Sequence, residues 1–172
     1  MPSHRNKTDP CSVNKCGLVC GIIYAVIGLI VRICTKSPYN TIHVLGADVY
    51  LPPLWIFNLL CLFWLFVSGF AAGITVGKMA IKRICGREEI SAYRGLLTFI
   101  CLFFLSLLWY PLFFGGERLA LSLLVALLCV ICSSACGLAW RSVVGLPGLL
   151  MGANALWQFY VLLVNLLVIL HN

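Results

Sequence analysis

The chain has 172 residues, of which 62% are apolar and 10% charged, with a formal net charge of +7 and a mean hydropathy of +1.05. Water-soluble domains carry about 25% charged and 45–50% apolar residues, so this composition excludes a soluble enzyme, a zinc finger and a disordered chain. Charge-free runs cover 16–31, 49–77, 95–116, 119–140 and 142–170. A membrane span needs about 20 apolar residues, which four runs meet outright and the first meets with Ile33 and Cys34. The predicted fold class is all-α, an integral membrane bundle of five transmembrane helices.

Residues 1–15 are polar with two prolines and read as a short mobile leader, ahead of one membrane domain over 16–172. The first helix is expected at about 16–34 and carries Gly17, Gly21 and Gly28 on one side, which permits close helix contact. Its charged start resembles a signal peptide, but no small-x-small cleavage site follows. Arg32 reads as a snorkelling anchor at the helix end. Residues 35–52 lack a helical pattern and hold Pro38, Asn40, Gly46 and Pro52, which suggests a lid-like loop.

The second helix, about 53–77, begins at Pro53, a residue suited to a first turn. Gly69, Gly73 and Gly77 form a small-residue repeat that serves either packing within the chain or a homodimer interface. A basic stretch from Lys78 to Arg94 reads as a solvated turn before the third helix at about 95–115. In the fourth helix, about 118–140, Ser122, Ala126, Cys129, Ser133, Cys136, Gly137 and Trp140 share a narrow arc, a seam closed by an interfacial Trp. In the fifth, about 144–170, Asn154, Gln158, Asn165 and Asn172 fall within about 40° of each other at 100° per residue. That amide stripe should face the bundle, to bond helices together or to line a cavity beside Trp157.

Nine of the twelve Lys and Arg residues fall on the side of the N-terminus, which makes that end cytoplasmic if the protein sits in a cell membrane. The positive charge is thus a topology signal, and nucleic acid is not an expected partner. Six cysteines lie inside the apolar runs and act there as small hydrophobes, so no structural disulfide is predicted. Every Asp, Glu and His lies outside or at the ends of the spans. Ion pumps and intramembrane proteases need such groups at depth, so neither is expected, nor is a bound metal. Aromatic, amide and small apolar side chains remain, a set suited to gripping a flat hydrophobic ligand.

Three stretches then resemble a known family. Trp109-Tyr110-Pro111-Leu112-Phe113-Phe114-Gly115 followed by Leu119-Ala120-Leu121 is similar to the third-helix signature of the tryptophan-rich sensory protein and peripheral benzodiazepine receptor family (TspO/MBR, translocator protein). Pro52-Pro53-Leu54-Trp55-Ile56-Phe57, with Gly69 fourteen residues after Trp55, resembles that family's start of helix two, and Trp157, Asn165 and Asn172 match its fifth-helix spacing. The sequence departs from the family pattern at Asn58, Leu65, Ser106, Ala153 and Asn154, and at Cys61, where a Trp is usual.

The resemblance implies a membrane receptor or transporter-like protein, without enzymatic activity. It would bind a porphyrin such as protoporphyrin IX, another tetrapyrrole, a sterol or a benzodiazepine-like compound in a cavity between helices, for transport, sensing or sequestration. No cofactor is required. The implied pocket residues are Trp55, Phe57, Ser106, Trp109, Phe113, Trp157 and Asn165, with the two tryptophans Trp109 and Trp157 stacking on the ligand and Ser106 and Asn165 offering hydrogen bonds. The implied membrane is a bacterial cell membrane or the mitochondrial outer membrane. Two rivals stand beside this reading: a structural or regulatory subunit that docks partners through glycine seams without a small ligand, and Trp-dependent degradation of porphyrin under light.

Overall fold

A computed structural model describes residues 10–35, 52–81, 87–115, 118–143 and 145–171. The expected lid, 35–52, lies almost wholly outside the described residues, as do residues 1–9 and Asn172. The five helices are α1 (Pro10–Cys34), α2 (Leu54–Ile81), α3 (Arg87–Phe114), α4 (Leu119–Arg141) and α5 (Gly145–His171). Each is long and apolar enough to cross a membrane. In hydrocarbon a helix satisfies its own backbone, which is why apolar runs of this length fold this way.

Three helix boundaries differ by more than one residue from those expected. α1 starts six residues early, with Pro10 in a first-turn position that tolerates its missing N–H. α2 continues past Lys78 to Ile81, and α3 starts at Arg87 with Glu88 and Glu89 in its first turn, where acidic groups suit the helix dipole. Most of the stretch expected as a basic turn is therefore helical. Charge marks where a helix leaves the hydrocarbon, and the backbone need not unwind there.

The bundle divides into an α1–α2 pair and an α3–α4–α5 group, joined mainly where α2 meets α5, while α1 touches α3 lightly. The α1–α2 pair is closed by glycines. A Cβ at Gly69 would stand 2.7 Å from the Cys20 carbonyl oxygen, and one at Gly73 would stand 2.6 Å from that of Cys16. Of the two uses expected for the repeat, packing within the chain is the one seen at Gly69 and Gly73, with Gly77 more loosely against Val13.

α4 is gripped on one side by α3 and on the other by α5. Its arc of Ser122, Ala126, Cys129, Ser133, Cys136, Gly137 and Trp140 is buried, together with Val125. Trp140 is a correction to the expected interfacial residue. It is fully buried, its indole N–H donates to the Ala92 carbonyl at 3.4 Å, and it fills the space left by the missing side chain of Gly95.

Candidate functional site

A cavity of about 60 Å³ opens between the α1–α2 pair and the α3 and α5 helices. Its wall is assembled from α1 (Gly28, Arg32), α2 (Asn58, Cys61, Trp64), α3 (Ser106, Trp109, Tyr110) and α5 (Asn154, Trp157, Gln158). On α2 the glycines that close it on α1 end at Gly69, while on α1 Gly28, packed against Leu65, reaches the cavity wall.

Aromatic rings make one side. Trp157 lies nearly parallel to Trp64 with centroids 6.4 Å apart, and it also meets Phe57 at 5.8 Å and Tyr160 at 5.4 Å. Trp109 stacks on Phe113 at 5.1 Å, with planes 16° apart. Trp64, about one turn past Cys61 along α2, supplies an indole to the same cavity. The spacing of Phe57, Cys61 and Trp64 on one helix face was the signal for it.

The polar groups are few and unevenly matched. The Tyr110 hydroxyl donates to Asn58 Oδ1 at 3.2 Å, fixing α3 to α2. Asn154 Nδ2 donates to Ser133 Oγ at 3.0 Å, and that hydroxyl donates onward to the Met151 carbonyl at 3.1 Å. Among the described residues, two buried atoms on cavity-lining residues have no partner: the indole Nε1 of Trp109 and the amide Oδ1 of Asn154. Trp109 is 7% and Asn154 1% exposed, so bulk water does not satisfy them. A buried unpaired donor or acceptor costs about 1–3 kcal/mol, which marks both as positions that a ligand atom would stabilise.

Of the residues expected at the pocket, Ser106, Trp109 and Trp157 line the cavity. Phe57 and Phe113 stand behind them, buried against Trp157 and Trp109 respectively. Trp55 and Asn165 are not brought there. Trp55 is 65% exposed on the first turn of α2. Asn165 is buried at the α4–α5 contact, where it accepts a hydrogen bond from Ser122 Oγ at 2.7 Å and donates to the Val161 carbonyl at 2.8 Å. Arg32 was read as a snorkelling anchor and instead lines the cavity, close to the Tyr110 hydroxyl and Cys61. Its position four residues after Gly28 continues the stripe that faces α2, which was the available signal.

The description TspO/MBR family belongs to a family model that matches residues 16–170 of the chain. No curated protein and no solved structure matches it.

Proposed function

The chain belongs to the TspO/MBR family, and from that premise we propose that it is a multi-pass membrane receptor or carrier holding a planar hydrophobic ligand, of tetrapyrrole or sterol type, in the cavity between α1, α2, α3 and α5. The observation that supports this reading is that Trp109 and Asn154, which line one cavity, each carry a buried polar atom, Nε1 and Oδ1, without a partner among the described residues. Trp64, Trp109 and Trp157 supply the stacking surfaces, and Ser106, Asn154 and Gln158 supply the directional contacts. Trp55 and Asn165 are left out of the site.

At about 60 Å³ the cavity is smaller than the roughly 300–1,000 Å³ of ordinary ligand sites. A tetrapyrrole therefore enters by parting the α1–α2 pair from α3 and α5, the boundary where the bundle is least joined. The membrane is a bacterial cell membrane or the mitochondrial outer membrane, with the N-terminus cytoplasmic in the former. The activity is binding rather than turnover. The subunit rival loses the feature that favoured it, because Gly69 and Gly73 are already covered by α1.

The test is a titration of protoporphyrin IX into the protein in nanodiscs, read by the porphyrin absorbance shift and Trp quenching, beside Trp157→Phe. Saturable binding weakened by that substitution is expected. Absence of saturable binding to folded protein would remove the porphyrin reading and send the titration to sterols. Equal loss of porphyrin under light with folded and denatured protein would eliminate the enzymatic rival.

A further inference from the structure

We infer that Arg32 recognises a carboxylate on the ligand, so that the cavity selects a planar hydrophobic acid over a neutral molecule of the same shape. This deepens the proposed function and rests on it. Arg32 sits in the last turn of α1, is only partly buried and lines the cavity. A residue that merely anchors a helix end extends its stem towards the membrane surface, away from the bundle. Arg32 instead meets the Tyr110 hydroxyl and shares the cavity wall with Cys61. An arginine held between helices calls for an anionic or strongly accepting partner, and guanidinium matches a carboxylate with two parallel hydrogen bonds.

The described protein offers no such partner nearby. Glu88 and Glu89, the carboxylates among the described residues, lie in the first turn of α3. Tyr110, the neighbour of Arg32, is near the other end of that helix, about 30 Å away at 1.5 Å per residue. The Tyr110 proton is committed to Asn58 Oδ1, so the hydroxyl presents its oxygen to Arg32 and adds no charge.

The cavity lining thus has a cation at the α1 edge, aromatic faces from Trp64 and Trp157, and two residues, Trp109 and Asn154, whose buried indole N–H and amide oxygen have no partner among the described residues. A flat acid carrying an additional N–H or O–H donor and an acceptor satisfies every one of these. A sterol offers one hydroxyl and leaves the cation unanswered.

Protoporphyrin IX and its dimethyl ester share one ring system and differ in charge, which makes them suitable probes. Both are titrated into wild type, Arg32→Gln and Arg32→Lys in nanodiscs, with empty nanodiscs correcting for partition into lipid. The acid is expected to bind wild type about tenfold more tightly than the ester, with most of that preference lost in Arg32→Gln and part of it kept in Arg32→Lys. Ester binding should be the same in all three proteins within about twofold, which also shows that the variants fold. Equal affinity of wild type for acid and ester, or a parallel loss for both in Arg32→Gln, overturns the inference while leaving the proposed cavity standing. Failure of both probes to bind wild type removes the porphyrin reading and the inference with it.

Discussion

Two buried asparagines on α5, Asn165 and Asn154, lie on one stripe and meet different surroundings. At Asn165 the amide is used on both sides, by Ser122 of α4 and by the Val161 carbonyl one turn back. At Asn154 only the nitrogen is used, by Ser133, and the oxygen is left bare beside the cavity. The first is a finished helix contact; the second is a contact with one partner missing. Within one chemistry, the difference separates an amide saturated by the bundle from one whose oxygen has no partner among the described residues. The α1–α2 seam at Gly69 and Gly73 belongs with the first kind, since backbone meets backbone there and no room remains.

The largest effect should come from the closed seam. Gly73→Val puts carbon within 2.6 Å of the Cys16 carbonyl oxygen, and separation of α1 from α2 should cost about 3 kcal/mol or more, seen as a lowered thermal unfolding midpoint by Trp fluorescence. Asn165→Leu comes next: losing the bridge to Ser122 should cost about 2 kcal/mol of stability, with ligand affinity unchanged in nanodisc titrations.

Asn154→Leu should do the reverse. It removes the bare acceptor together with one hydrogen bond, so stability should stay within about 1 kcal/mol while ligand affinity falls about tenfold. If Asn154→Leu and Asn165→Leu instead act alike, the distinction between the two positions is lost. Trp109→Phe keeps a ring on Phe113 and deletes the unpaired N–H, and isothermal titration should find affinity lowered about fivefold with no loss of stability. Trp55→Leu should have the smallest effect, under about twofold on affinity, because Trp55 is exposed and does not line the cavity.

How far the site was legible varies residue by residue. The buried arc of α4 follows from helical periodicity alone, because small and polar residues repeat there at 100° per residue against large aliphatic ones. The inward stripe of α5 was legible for the same reason, since unpaired amides are costly in lipid. The sequence did not distinguish which amide of that stripe would be saturated, because the answer depends on Ser122 and Ser133 of a different helix. Similar limits apply to Trp64 and Arg32, whose roles depend on Trp157 and Tyr110 lying opposite them.

The number of helices and their membrane setting were determined by the sequence by itself. Hydrocarbon imposes these requirements segment by segment: each span must be apolar and must satisfy its own backbone, whatever its neighbours do. What only the tertiary structure decided is which side of each helix meets protein. Lipid tails are as apolar as a core of Leu and Phe, so hydrophobicity does not tell inward from outward. Phe57 is buried and Phe63 exposed on one helix, and Trp140 is sealed while Trp55 is open, with no difference in residue type to announce it. The cavity is decided at that same level, because its wall is assembled from side chains of four different helices, α1, α2, α3 and α5.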